Sequence, residues 1–331
     1  MKAKQQSYNA HPIGSCQKLF IVGWMLALFF SSCSNNASHL SPIDTTGYVW
    51  YGWNHYQLKE TDSAERYGYY LITNTAYYWG PKGKLSPISN GMNCQNCHLE
   101  AGIIPWGNNF SAVAATYPKF RERSGALESI EKRVNDCIER SLNGKAVDSA
   151  SKEMKAIVAY LKWVGKEVPR GRKPKGSGIM DIPFLERAAD ATKGKKVFIN
   201  NCQRCHGSNG EDQLNTEGYG YTYPPVWGGN SFNTGAGLYR VSKLAGYIKN
   251  NMPVNEASYL DPLLTDEEAW DVAAFIASQP RPVKKLTTDW PRLSAKPFDH
   301  PFGPYTDSFS EQQHKYGPFL PIVAAGGKRR I

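Results

Sequence analysis

Apolar residues in this chain recur at helical spacing in short stretches separated by loops rich in glycine and proline. Tyr67, Leu71 and Thr75 share one face of a segment from Asp62 to Trp79, which predicts an amphipathic helix capped by Asp62. Met154, Ile157, Val158 and Leu161 predict another over Lys152–Trp163, and residues 127–141 are a candidate for a third. Gly194 to Phe198 lies on a helix running into Cys202. Thr265-Asp266-Glu267-Glu268 is a capping box that opens a helix through Ala277, and Pro280 ends it. Gly80, Gly83 and Pro87 mark a loop before Cys94, and Pro169, Gly171, Pro174 and Gly176 mark a linker over residues 169–186. Residues 281–331 carry many prolines and aromatics without a strong helical period, and predict a tail that wraps over the rest. The pattern is mainly α.

Two stretches inside this pattern carry chemistry: Cys94-Gln95-Asn96-Cys97-His98 and Cys202-Gln203-Arg204-Cys205-His206. C-x-x-C-H is the attachment signature of c-type haem. Two thiols meet the two vinyl groups of a porphyrin edge, and the adjoining His falls under the iron as proximal ligand. A lone C-x-x-C is more often a redox pair or half a zinc site, but the adjoining His and the doubling speak against both. The expectation is two tandem class I cytochrome c-like domains, residues 62–168 and 187–280, each built around one covalent haem c. Pro224-Pro225-Val226-Trp227-Gly228 follows the second motif as Pro105-Trp106-Gly107 follows the first. A Pro carbonyl in such a loop can accept the imidazole N–H and fix its tautomer.

The halves align through their last helices. Glu153 matches Glu268, Ile157 matches Val272 and Leu161 matches Ile276, each at an offset of 115. The same offset carries Met252, within Asn251-Met252-Pro253, onto Cys137. Haem 1 would then be held by His98 and Cys137, and haem 2 by His206 and Met252. A thiolate favours Fe(III) and lowers the potential, whereas a thioether raises it. The plainer reading of Cys137 is a small buried residue. Met154 aligns with Ala269 and reads as core.

Composition narrows the setting. The 331 residues are 41% hydrophobic and 21% charged, a globular balance, with a net charge of +10. The basic surface favours anionic partners, and no basic helix or aromatic-basic strand motif points to nucleic acid. Lys18 precedes an apolar run from Leu19 to Phe30, too short to span a bilayer and suited to an export signal over residues 1–33. Ser31-Ser32-Cys33 resembles a lipoprotein cleavage site, with Cys33 as the acylated residue, and residues 34–61 form a leader that packs on the first domain. The localisation expected is exported and periplasmic, with a membrane-anchored lipoprotein favoured over ordinary signal cleavage. Of seven cysteines, four hold haem, Cys16 leaves with the signal and Cys33 is the anchor, so Cys137 alone remains unassigned. If residues 127–141 are helical, Arg133, Arg140 and Ser141 lie on its face. Arg123 precedes them in a basic segment, and these side chains are candidates for binding a small anion.

The stretches Tyr117–Gly125 and Arg133–Gly144, with Pro301-Phe302-Gly303-Pro304-Tyr305 and Gln312–Phe319 in the tail, resemble the two-haem thiosulfate dehydrogenases, the tetrathionate-forming cytochromes c. The resemblance covers roughly residues 60 to 322. It implies that Cys137 is both haem ligand and catalytic thiol. It also implies that two thiosulfates are joined to tetrathionate, reversibly in some members, with electrons passed to an external acceptor such as a soluble cytochrome or other redox protein. Some members place a Lys before the Met of haem 2; here that residue is Asn251. A non-catalytic two-haem electron carrier and another sulfur-oxidising cytochrome remain as alternatives.

Overall fold

Each half of the chain is built on one pair of crossing helices, and in both the crossing point is a glycine. The computed structural model describes residue 58 and residues 63–210 and 213–326. The expected signal with Cys33, the leader other than Leu58, and Asp62 lie outside the described residues. The described residues form one compact unit.

The first half contributes α1 (Ala64–Thr73), α2 (Thr75–Trp79), the short α3 (Leu99–Gly102) and α4 (Val113–Thr116), strands β1 (Lys119–Arg121) and β2 (Ala126–Glu128), then α5 (Ile130–Arg140) and α6 (Lys152–Val164). The second contributes α7 (Ala191–Val197), α8 (Gln203–His206), the strand pair β3 (Gln213–Leu214) and β4 (Tyr221–Tyr223), then α9 (Val241–Asn251) and α10 (Asp266–Ser278). The tail holds α11 (Glu311–Tyr316) and α12 (Leu320–Ala324).

Helix α1 lies on α6, burying Leu71 and Ile72 against Met154, Ile157, Tyr160 and Leu161. A Cβ on Gly68 would stand 2.0 Å from the Ala156 carbonyl oxygen, so only glycine permits this approach. In the second half a Cβ on Gly194 of α7 would stand 1.8 Å from the Asp271 oxygen of α10. Asp271 follows Ala156 by the same 115 positions that align the last helices. The Asp271 carboxylate, itself buried, fixes this crossing by accepting from Arg187 at 2.7 and 2.9 Å and from the Asp190 amide at 2.7 Å. Helix α10 opens on the expected capping box, with Glu268 N donating to Thr265 Oγ1 at 3.2 Å and Thr265 N to Glu268 Oε2 at 2.8 Å.

Two helix boundaries differ from expectation. The segment read as one helix to Trp79 is capped by Ser63, whose Oγ accepts from Arg66 N at 3.1 Å, and it breaks at Asn74. The Thr75 hydroxyl donates back to Leu71 O at 2.8 Å, and Asn93 Oδ1 takes the Ala76 amide at 2.8 Å, so local side chains replace the helical ladder. The helix expected from residue 127 starts at Ile130, because Ala126–Glu128 pairs with Lys119–Arg121 as an antiparallel hairpin.

The 169–186 segment is docked. Trp106 N donates to Gly176 O at 2.7 Å, Gly171 N to Ala115 O at 2.7 Å, and the Ser111 and Ser177 hydroxyls pair at 2.8 Å. The tail completes the second core with Phe298, Phe319 and Ile322, while Leu58 of the leader is buried in the first.

Candidate haem centres and active site

Both C-x-x-C-H stretches sit where a helical turn presents the thiols and the His to one side. In the second half the run of α7 widens through a π-helical turn, Phe198–Cys202, into α8, which ends on His206. His206 Nδ1 is 2.8 Å from the Pro224 carbonyl, as the loop pattern predicted, which leaves Nε2 for a metal. In the first half the acceptor is Asn108 and not Pro105: His98 Nδ1 lies 2.6 Å from Asn108 O. Trp106 and Asn108 adopt φ of 64° and 58°, which displaces the carbonyl that meets the imidazole three residues along the loop. A longer 3.4 Å contact joins the Asn108 amide to His98 Nε2, and Phe110 stacks on the ring at 4.2 Å. Burial pushes His98 down to about 4, so the imidazole is neutral, the form that binds iron. It lowers His206 as well.

A cavity of about 500 Å³ opens over His206, with Cys202, Cys205, Met252, Phe198, Leu244, Ile248 and Ile276 on its wall. Apolar walls, two thiols, a tethered neutral imidazole and a thioether in one space match the donor set of a covalent haem. Met252 sits there because it is the residue at which α9 ends.

Cys137 is half-buried on α5, within electrostatic reach of Cys94 and Cys97, whose thiols burial raises to about 11 and about 12. Arg133, one turn earlier, is raised above its usual value, chiefly by Cys137. The Arg133 guanidinium has no hydrogen bond or ion pair to any side chain among the described residues. Burial raises the nearby Tyr117 phenol, against the opposing pull of Arg133. Ser141 caps α5, and its amide donates to Cys137 O at 2.7 Å.

Arg140 and Arg123 turn out differently from the free anion ligands expected. Both terminal nitrogens of Arg140 are on Asp289 at 2.9 Å, a bidentate pair that already neutralises this buried cation. Arg123 Nε stands 3.9 Å from the same carboxylate, Nη1 donates to Gly235 O at 3.1 Å, and the guanidinium lies over Trp290. Burial, then the neighbouring Arg140, pull Arg123 down to about 9. Asp289 and Trp290 were missed in the sequence, where they fall in an aperiodic tail. No local signal links them to residues some 150 positions earlier.

Two tethered histidines, each behind a C-x-x-C pair in its own helical half, define a two-haem c-type cytochrome. A family model described as SoxA/TsdA, cytochrome c domain, matches residues 85–169, and one described as cytochrome c matches residues 191–280. The thiosulfate dehydrogenase of Psychrobacter arcticus is 41% identical over 214 residues, 63% of this chain and 62% of that protein, under two thirds of its length. That of Allochromatium vinosum is 39% identical over 200 residues, 59% of this chain and 72% of that protein. Thiosulfate dehydrogenase (TsdBA) from Marichromatium purpuratum superposes with a TM-score of 0.65 at 26% identity, over 75% of this chain and 51% of that one. The chain therefore belongs to the thiosulfate dehydrogenase family of cytochromes c, and it carries two covalently bound haem c groups.

Proposed function

We propose that this protein joins two thiosulfates into tetrathionate at haem 1 and passes the two electrons through haem 2 to an external acceptor, such as a soluble cytochrome. The observation that carries this reading is Arg133, a guanidinium without a bonded partner among the described residues, placed beside the unassigned thiol Cys137 in a chain whose relatives are thiosulfate dehydrogenases.

Haem 1 would be held by Cys94, Cys97, His98 and Cys137, and haem 2 by Cys202, Cys205, His206 and Met252. When bound, the two haems supply one-electron acceptance. The Cys137 sulfur bonds the terminal sulfur of one thiosulfate, giving an S-thiosulfonate on the protein with loss of two electrons. The terminal sulfur of a second thiosulfate then attacks the sulfane sulfur bonded to Cys137 Sγ, that S–S bond breaks, and Cys137 leaves as thiolate while tetrathionate forms. Two dianions enter; one dianion and two electrons leave. Reversal of the same steps reduces tetrathionate. Arg133 offsets the repulsion between the dianions, with Ser141 as a further polar contact. Arg123 and Arg140, held on Asp289, would add positive field without binding the anion directly.

Thiosulfate oxidation with ferricyanide and tetrathionate reduction, measured on one holoprotein preparation, test the reading. Turnover in either direction is expected, and absence of both would leave only an electron carrier. The protein would work outside the cytoplasm, in the periplasm, anchored through acylated Cys33. Cys33→Ala should then move it from membranes to the soluble fraction, and a wild-type protein already soluble and unacylated would refute the anchor.

A further inference from the structure

One helix touches both haem sites. Tyr247, on α9, points its hydroxyl out of the second half and donates to Asn96 O at 3.1 Å, inside the first C-x-x-C-H. Asn251, one turn later, donates from Nδ2 to Trp106 O at 3.3 Å, in the loop that carries Asn108 to His98. The next residue is Met252. Tyr247 is also on the wall of the haem 2 cavity, and Asn96, Cys97 and Leu99 from the first motif line the same cavity. A single buried side chain thus spans from the haem 1 attachment to the haem 2 pocket, and its helix ends on the proposed haem 2 ligand.

We propose that Tyr247 is the bridge between the two haems, with its ring and its hydroxyl on Asn96 carrying electronic coupling from the Cys97 attachment into the haem 2 pocket. The step moves one electron from ferrous iron at His98 to ferric iron at His206. No bond is made or broken, and the tyrosine is neither oxidised nor deprotonated. Burial raises the phenol well above its usual value, so the hydroxyl stays a donor throughout. Buried packing and a hydrogen bond favour coupling because they replace a through-space gap with close contacts. Asn251 positions the bridge: it also donates to Tyr247 O at 2.9 Å and ties the end of α9 to the first half.

This inference rests on the two haems and not on the thiosulfate reading, so its test needs no substrate. The fully oxidised holoprotein is reduced by a sub-stoichiometric light-driven electron donor, and equilibration between the haems is followed by their separate absorbance changes. Tyr247→Phe, which removes only the hydroxyl, should slow equilibration several-fold while redox titration shows both potentials unchanged. Tyr247→Leu, which also removes the ring, should slow it further. Wild-type equilibration in Tyr247→Phe overturns the proposal. So does a slower rate accounted for by a changed potential difference, since a purely structural residue would act in that way.

Discussion

Cys137 carries two separable roles in the proposed reaction, and a pair of substitutions distinguishes them. Cys137→Gly removes both ligand and nucleophile. The expected result is a folded protein with two haems, a raised haem 1 potential, and turnover lower by at least about 10³-fold, the scale of losing a catalytic nucleophile. Cys137→Met restores a sulfur donor but cannot form the thiosulfonate, so it should regain six-coordinate iron in the absorption spectrum and remain inactive. Turnover by the Met variant would show that ligation alone is needed. Arg133 belongs to the same argument, because its dominant electrostatic partner is Cys137 and no side chain among the described residues neutralises it by direct contact. Arg140 shows the limit of helical-wheel reasoning. The wheel places it on the Cys137 face, but a carboxylate 149 residues away accepts both its terminal nitrogens.

At the scale of elements, the repeat is physical as well as textual. The glycine crossings at Gly68–Ala156 and Gly194–Asp271 use partner positions related by the same offset that maps Met252 onto Cys137. This much was legible because a helix face leaves its period in the sequence. The break at Asn74 was not, since it depends on Asn93, which is remote in sequence and local only after folding. Nor was the acceptor at His98, because which carbonyl meets the imidazole is decided by the positive φ of Trp106 and Asn108. Helix α9 left no firm sequence signal, although its end places Met252 on the cavity wall. If Met252 holds haem 2, Met252→Gly should lower that haem's potential by on the order of 0.1 V, within the ~0.8 V that axial ligands span, and leave haem 1 unmoved. Two unchanged potentials in redox titration would remove Met252 from the iron.

The whole molecule depends on its tail. Residues 281–331 were read as a wrapping segment, but wrapping understates the role of those described: Asp289 binds two arginines of the first half, and Asp299, fully buried, is held by Arg240 and Ser242 of the second. Such pairings have no local period, which is why the tail was the least legible part of the fold. His300 stands between these two anchor points. Burial first, then Lys296, Arg123 and Arg240, push its imidazole down to about 3, against an ordinary 6.5, while the Phe302 carbonyl opposes the shift. The folded state therefore refuses a proton that the unfolded chain accepts, and stability falls as pH drops from 6.5 towards 3. Asp299 acts in the same direction: its carboxylate is held below its usual value by Arg240, against the cost of burial, and its contribution is lost as pH falls through that lowered value. Between pH 6.5 and pH 5 the His300 contribution alone is on the order of 2 kcal/mol. The measurement is the urea midpoint of the holoprotein at pH 7 and pH 5, for the wild type and for His300→Gln. The variant should be less stable at pH 7, because an amide fits the buried ring site poorly, yet it should lose less between the two pH values. Equal losses in both proteins would mean that His300 takes up a proton as readily in the fold as in the unfolded chain, and that acid acts on the tail through its carboxylates alone.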